Sequence, residues 1–179
     1  MMRRTPSELP DELEETAVAS GPRSDPERLV ERLKELGWTL GVAESLTGGL
    51  VAASVVSVSG ASAVFRGGIV AYATELKERL LGVDATLLDA HGPVHPRVAR
   101  QMAEGIRRAV GDDEPADVGI ATTGIAGPVS SDGQPVGTVH IAVSTPLGSR
   151  VESLILEGDR DEIRTAAAAR AILLAVEAL

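Results

Sequence analysis

A serine in a glycine-rich turn is the first candidate for chemistry, in the stretch GVAESLTGGL at positions 41–50. Ser45 follows a short apolar run and precedes Thr47, Gly48 and Gly49, an order typical of a strand that turns into a helix. The N–H groups that open a helix favour an anion or a developing oxyanion, so this turn can hold a nucleophile. The same residues also fit a plain capping turn, with Ser45 or Thr47 as the N-cap.

A serine nucleophile needs a base, and the chain offers Lys77 in the segment YATELK. With Thr74 as the cap, Lys77 becomes the third residue of a helix, where the positive end of the helix dipole favours a neutral amine. A neutral lysine can accept the serine proton, although Glu75 opposes this effect and most lysines are simply solvated. Tyr72 ends the preceding strand, and a ring with a solvated hydroxyl is the alternative to a role in catalysis.

Two arginines begin the last predicted helix, in the segment GDRDEIR. Arg160 and Arg164 lie in or just before its first turn, where Asp159 or Asp161 is the cap. Arginine at that end opposes the helix dipole, which suits a bound phosphate or carboxylate. The alternative is a set of surface Asp–Arg pairs, each contributing about 0–1 kcal/mol.

The remaining candidate ligands do not form a metal set. His91 and His95 flank a proline-containing turn and His140 lies in a strand, so their spacing is wrong for a shared ion. The chain has no cysteine, which excludes thiolate chemistry and disulfides. We therefore expect neither a metal nor another cofactor.

Helical and strand patterns alternate along the chain and predict an α/β domain. A hairpin signal, PLGS, joins the last two strands, so the sheet is expected to be mixed. Predicted helices cover 25–36, 47–58, 74–81, 96–110 and 161–178, and predicted strands cover 38–43, 67–73, 117–124, 137–145 and 150–158. Ligands of open α/β sheets bind beyond the carboxyl ends of strands, where ESLTGG, AYATELK and TTGIAGP all fall. The last segment adds Thr122, Thr123 and Gly124 to the candidate site.

Composition narrows the class of protein. Of 179 residues, 44% are hydrophobic and 24% charged, which is typical of a globular chain. A formal net charge of −9 and only 2% aromatic residues argue against nucleic-acid binding. No apolar run is long enough to span a membrane and no secretory signal is evident, so we expect a cytoplasmic protein. The acidic, proline-containing residues 1–24 predict a flexible tail before a single domain over 25–179.

Six segments in one order resemble the CinA C-terminal domain family, over about residues 27–179. They are VAESLTGG, FRGGIVAYATELKERLLGV, GPVHPRVARQMAEG, TTGIAGP, PVGTVHIAV and GDRDEIR. The resemblance implies a three-layer α/β/α sandwich with a mixed sheet that forms a homodimer or higher homo-oligomer. It also implies a nicotinamide mononucleotide deamidase, which hydrolyses the nucleotide's carboxamide to nicotinic acid mononucleotide and ammonia without a metal. Relatives often carry an additional nucleotide-binding domain, and this chain resembles the stand-alone form.

The resemblance also implies roles for individual residues. Ser45 matches the family nucleophile and Lys77 the catalytic lysine, with Tyr72 or Lys77 returning a proton to the departing ammonia. The N–H groups of Thr47, Gly48 and Gly49 are expected to bind the oxyanion. Arg160 is expected to bind the substrate phosphate, with Arg164 and the turn Thr122, Thr123, Gly124. This assignment of the phosphate to arginine and of the oxyanion to the first turn is an inference of our own and not part of the resemblance, and the two can be exchanged.

Three departures from the family pattern keep other functions open. Leu46 replaces a common cysteine, Gln134 stands in place of a lysine in the loop 129–134, and His140 replaces an aromatic residue. The altered loop favours, as a second hypothesis, a hydrolase of another small amide or ester. A third hypothesis is a non-enzymatic protein associated with competence or DNA damage.

Overall fold

The structure, a computed structural model, describes residues 23–129 and 133–179 and consists of a five-stranded sheet between two layers of helices. Its elements are α1 (Asp25–Leu36), β1 (Leu40–Glu44), α2 (Leu50–Val56), a 3₁₀ turn (Ala61–Ala63), β2 (Phe65–Val70), α3 (Thr74–Leu81), α4 (Ala85–His91), α5 (Pro96–Ala109), β3 (Val118–Gly124), β4 (Thr138–Thr145), β5 (Gly148–Ile155) and α6 (Arg160–Ala178). The predicted α/β/α sandwich with a mixed sheet is confirmed. The tail predicted over residues 1–24 lies outside the described residues except for Arg23 and Ser24, and Ser24 caps α1.

The sheet order β2-β1-β3-β4-β5 places β1 between β2 and β3 and parallel to both, whereas β4 runs antiparallel to its neighbours β3 and β5. In the register, Glu44 at the end of β1 lies beside Val70 of β2 and Thr122 of β3. The carboxyl ends of the three parallel strands therefore meet at one edge, as the sequence predicts. The short hairpin between β4 and β5 is also confirmed.

Two apolar cores, one on each face, hold the sheet between its helices. The larger core joins α1, α2 and α6 to the sheet, and the smaller one joins α3, α4 and α5. Small residues let α5 approach its neighbours closely, because a Cβ at Gly105 would lie 1.8 Å from the carbonyl oxygen of Leu81 in α3. This packing fixes α3, and with it Lys77, against the sheet.

Several element boundaries differ from the prediction, and one helix was not predicted. The second helix begins at Leu50 rather than at residue 47, because Gly48 and Gly49 both have positive φ angles, which helical residues do not adopt. The strand β2 covers 65–70 rather than 67–73. The helix α4 was not predicted, and its N-cap Asp84 accepts a hydrogen bond from the backbone N–H of Thr86 at 2.8 Å. Among the described residues, no helix is both long and apolar enough to cross a bilayer.

A histidine caps α5, and the direction of its pKa shift predicts a fold that is less stable in mild acid. The Nδ1 atom of His95 accepts the Arg97 N–H at 3.2 Å, and its ring stacks on His91 with centroids 4.6 Å apart. Burial, His91 and Arg97 all lower the pKa of His95, and burial lowers the pKa of His140. The unfolded chain therefore binds more protons than the folded one below about pH 6.5, so the stability falls as the pH drops through that range.

We expect the free energy of unfolding, from urea denaturation, to decrease between pH 7.5 and pH 5. The variant His95→Ala should lose about 1 kcal/mol at pH 7.5, the usual contribution of a cap, and show a shallower pH dependence. Part of the slope should remain because His140 titrates in the same direction. A slope equal to that of the parent protein would contradict the assignment to His95.

Candidate active site

Ser45 lies in the turn between β1 and α2 and is buried, with 8% of its surface exposed. Its backbone N–H donates to the carbonyl oxygen of Thr122 at 3.0 Å, which continues the pairing of β1 with β3 by one residue. Its Oγ atom accepts a hydrogen bond from Lys77 Nζ at 3.2 Å. The structure thus brings together the serine and the lysine that the sequence singles out, although 32 residues separate them.

Lys77 is among the largest fully buried side chains, with 1% of its surface exposed. Its Nζ atom also donates to the carbonyl oxygens of Ala71 at 2.7 Å and Tyr72 at 3.4 Å. Helix α3 begins at Thr74 with Ala73 as N-cap, so the expected Thr74 cap is wrong and Lys77 is the fourth helical residue. The alternative of a solvated lysine is excluded by this burial, which is a stronger argument than the position of Lys77 in the helix dipole.

A cavity of about 240 Å³ opens in front of Ser45 and Lys77. Its walls come from the β1–α2 turn, the segment between β2 and α3, the loop before α5, the stretch that follows β3, and the start of α6. Six of the predicted site residues line it, namely Ser45, Tyr72, Lys77, Thr123, Gly124 and Arg160. The other five, Thr47, Gly48, Gly49, Thr122 and Arg164, do not belong to its lining.

Thr47 and Thr122, which were both predicted to contact the substrate, lie behind the cavity and not in its lining. Thr47 and Thr122 are both fully buried, and their Oγ1 atoms are 2.7 Å apart in a mutual hydrogen bond. This bond joins the turn after β1 to the end of β3. Thr123, in contrast, lines the cavity, and its hydroxyl donates to the carbonyl oxygen of Pro93 at 2.8 Å.

Glu44 is the residue that the sequence reasoning missed. Its carboxylate is buried, with 1% of the residue exposed, and accepts the N–H groups of Gly49 at 2.9 Å, Val51 at 3.1 Å and Ala52 at 2.9 Å. The carboxylate of Glu44 therefore caps the start of α2, and neither Ser45 nor Thr47 does so. A glutamate directly before a Gly-Gly turn was the available signal, since an acidic group near a helix N-terminus is stabilising.

This capping corrects the expected oxyanion donors. The N–H of Gly49 is bonded to Glu44, and the N–H of Gly48 donates to the Ser45 carbonyl oxygen at 3.1 Å. Within residues 23–129 and 133–179, no acceptor takes the N–H of Leu46 or of Thr47. Unpaired buried N–H groups are rare in folded proteins, and these two directly follow Ser45.

The two arginines of α6 have different surroundings although they lie one helical turn apart. Arg160 lies at the cavity, where its guanidinium donates to the Tyr72 hydroxyl at 3.1 Å and to the carbonyl oxygen of Gly127 at 2.6 Å. Arg164 instead donates to the carbonyl oxygens of Leu46 at 3.0 Å and Thr47 at 3.2 Å. The expected contact of Arg164 with a substrate phosphate is therefore replaced by contacts with the turn that carries Ser45.

Tyr72 lies at the mouth of the cavity with 61% of its surface exposed. Its hydroxyl accepts from Arg160, whereas its carbonyl oxygen is the atom that approaches Lys77. The side chain is thus associated with the arginine end of the cavity. The expected proton transfer from Tyr72 to ammonia has no support in this arrangement.

Gln134 and His140, two of the residues that depart from the family pattern, contact or pair with residues of the cavity wall. Gln134 donates to the carbonyl oxygen of Val94 at 2.7 Å and so joins the loop after β3 to the wall before α5. His140 pairs across the sheet with Thr123, and its Nδ1 atom is 2.8 Å from the Ser153 hydroxyl. In the part of the chain that the structure describes, no three His, Asp or Glu side chains are arranged to hold a metal.

The fold and the site together define a class of protein. It is an α/β domain with a mixed sheet, in which a buried lysine is hydrogen-bonded to a serine at the edge where the parallel strands end. The profile of the CinA C-terminal domain matches residues 23–179, and the chain belongs to that family. The family prediction from the sequence motifs is therefore confirmed.

The relatives agree with this assignment. A CinA-like protein of Frankia casuarinae is 52% identical over 134 residues, which cover 75% of this chain and 30% of that protein. A CinA-like protein of Anaeromyxobacter dehalogenans is 46% identical over 161 residues, which cover 89% of this chain and 38% of that protein. The chain thus spans about a third of the length of these relatives.

Solved structures show the same fold over nearly their whole length. A CinA-superfamily protein from Klebsiella pneumoniae superposes with a TM-score of 0.80 at 31% identity, covering 86% of this chain and 94% of the other. The competence/damage inducible protein CihA from Agrobacterium tumefaciens gives a TM-score of 0.75 at 34% identity, covering 89% and 99%.

Proposed function

We propose that this protein hydrolyses the carboxamide of nicotinamide mononucleotide, giving nicotinic acid mononucleotide and ammonia. The observation that carries the proposal is the hydrogen bond between Lys77 Nζ and Ser45 Oγ, 3.2 Å long and open to a cavity. Membership of the CinA family supports the choice of substrate. The reaction is acyl transfer, with Ser45 as nucleophile and Lys77 as base.

The first half of the reaction forms an acyl-enzyme. Lys77, in its neutral form, accepts the hydroxyl proton as Ser45 Oγ attacks the carboxamide carbon. Burial supports this role, because desolvation disfavours the charged ammonium. The tetrahedral intermediate then collapses, the carbon–nitrogen bond breaks, and Lys77 returns the proton to the departing ammonia. In the second half, Lys77 takes a proton from water as the water oxygen attacks the ester carbon. The bond between that carbon and Ser45 Oγ then breaks, Lys77 returns the proton to Oγ, and the product acid leaves as its carboxylate.

The oxyanion of both intermediates is assigned to the N–H groups of Leu46, which lines the cavity, and of Thr47, which is fully buried next to it. Both donors directly follow the nucleophile, and neither has an acceptor among the described residues. Fixed backbone donors aimed at a developing negative charge supply a large part of the rate acceleration in acyl transfer. The neighbouring Gly48 and Gly49 contribute to the shape of the turn and not to the oxyanion site.

The phosphate is assigned to Arg160. Its guanidinium lies at the cavity beside the Tyr72 hydroxyl, and it is the first residue of α6, where the helix dipole adds positive potential. A planar guanidinium suits the oxygens of a phosphate, and Tyr72 then orients Arg160 and covers the cavity mouth. Arg160 thereby selects a nucleotide over a free base.

The direct test is ammonia release by the purified protein from nicotinamide mononucleotide, from its riboside without the phosphate, and from free nicotinamide. We expect the highest kcat/KM for the nucleotide and the lowest for nicotinamide, because the ribose and the phosphate each add contacts that are kept from the bound substrate to the transition state. Absence of ammonia release from all three would refute the amidase proposal. Equal kcat/KM for nucleotide and riboside would refute the phosphate assignment alone.

Replacing Arg160 with methionine should raise KM for the nucleotide about 10- to 100-fold with little change in kcat. A hydrogen bond to a charged group contributes about 1.5–3 kcal/mol, which converts to that range. The riboside is the internal control, since its KM should not change. An equal loss with both substrates would mean that Arg160 acts on the ring or on the protein and not on the phosphate.

A further inference from the structure

We propose that Arg164 and Glu44 are positioning residues that hold the turn 45–49 in its reactive shape, an inference that rests on the proposed function. Neither side chain lines the cavity. One is a cation and the other an anion, and they bind opposite kinds of backbone group on the same turn. Arg164 donates to carbonyl oxygens, and Glu44 accepts from N–H groups.

Arg164 fixes two peptide units directly after the nucleophile. Its Nε atom donates to the Leu46 carbonyl oxygen at 3.0 Å and its Nη2 atom to the Thr47 carbonyl oxygen at 3.2 Å. In a trans peptide the C=O of one residue and the N–H of the next point in opposite directions. By holding the Leu46 carbonyl oxygen, Arg164 therefore sets the direction of the Thr47 N–H, one of the two donors assigned to the oxyanion.

Glu44 fixes the far end of the turn. Its carboxylate binds the N–H of Gly49 together with two N–H groups of α2, so the helix start and the turn share one anchor. Between these anchors, Gly48 has φ +61°, and a Cβ there would lie 3.3 Å from Arg164 Nη2. Glycine is therefore favoured at position 48, because the backbone has a positive φ angle there and the Arg164 guanidinium packs closely against it.

Every peptide unit from Ser45 to Gly49 is consequently bonded. The Ser45 carbonyl oxygen accepts from Gly48, Arg164 binds the carbonyl oxygens of Leu46 and Thr47, and Glu44 binds the N–H of Gly49. Among the described N–H groups of residues 45–49, those of Leu46 and Thr47 are the two without an acceptor, and they are the donors assigned to the oxyanion. Such preorganisation lets the donors act without rearranging when charge develops.

Arg164→Met is the test, with Arg160→Met as the matched control from the same helix. For Arg164→Met we expect kcat to fall about 100-fold with KM for nicotinamide mononucleotide nearly unchanged, and the same fall with the riboside. Arg160→Met should show the opposite pattern, a raised KM for the nucleotide alone. Glu44→Gln, which exchanges one acceptor oxygen for a donor facing backbone N–H groups, should also lower kcat and should remain testable if Arg164→Met folds poorly.

Crystal structures of the parent protein and of Arg164→Met, both without substrate, show the conformation of the turn 45–49 directly. We expect the Leu46–Thr47 peptide to adopt a new orientation in the variant. An unmoved turn, or a raised KM with unchanged kcat, would overturn the proposal. If the parent protein releases no ammonia, the proposed function fails, but the comparison of the two turns still decides whether Arg164 positions them.

Discussion

Ser45→Ala is expected to lower kcat for ammonia release from nicotinamide mononucleotide by about 10⁴-fold or more, the scale of loss when a nucleophile is removed. The variant retains the cavity and its other walls, so KM should change little. The effect is large because the covalent route disappears completely, while the remaining groups can only assist direct attack by water. Initial rates of ammonia formation measure it.

A matched control is available in the next helix. Ser54 of α2 donates its hydroxyl to the Leu50 carbonyl oxygen at 2.8 Å and does not line the cavity. Ser54→Ala should therefore retain nearly all of the activity. Mass spectrometry after rapid acid quench should detect an adduct on the parent protein and none on Ser45→Ala. Substantial activity in Ser45→Ala would exclude the covalent mechanism and favour direct hydrolysis.

The convergence of the site was predictable because it follows from topology. Parallel strands end at one edge of a sheet, so ESLTGG, AYATELK and TTGIAGP had to approach one another once their strands were placed. Ser45 and Thr123 line the cavity for this reason, and Tyr72 and Lys77 follow the same rule from β2. The predicted cytoplasmic location and homo-oligomer, in contrast, stay predictions.

The division of labour among polar residues was not predictable, since it depends on short distances across the fold. Arg160 and Arg164 are equivalent in a helical pattern, yet one lies at a cavity and the other meets two carbonyl oxygens of a distant turn. Glu44 was given no role by the sequence, and its carboxylate cap for α2 requires the exact fold of the Gly48–Gly49 turn. Spacing in the sequence carries no information about which backbone groups are left without a partner.

Lys77→Met is expected to lower kcat about 10²- to 10⁴-fold, the range for a general acid–base group. Methionine has a similar length and no charge, so it fills the buried site without a proton to accept or return. The substitution also leaves the buried carbonyl oxygen of Ala71 without this donor, at about 1–3 kcal/mol, and removes the longer, part-buried contact with the Tyr72 carbonyl oxygen. Thermal unfolding monitored alongside the kinetics separates this loss of stability from the loss of kcat.

Lys77→Arg distinguishes proton transfer from simple charge. Arginine retains donors for the backbone carbonyl oxygens but stays protonated throughout the working pH range, so it cannot act as a base. If Lys77 removes the Ser45 proton, Lys77→Arg should be as inactive as Lys77→Met at every pH from 6 to 9. Activity retained in the arginine variant would show instead that the site needs a cation there, because a fixed charge can stabilise an oxyanion without exchanging a proton. Another residue would then have to act as the base. The 3.2 Å hydrogen bond between Lys77 and Ser45 would serve only to place a positive charge beside the reacting atoms.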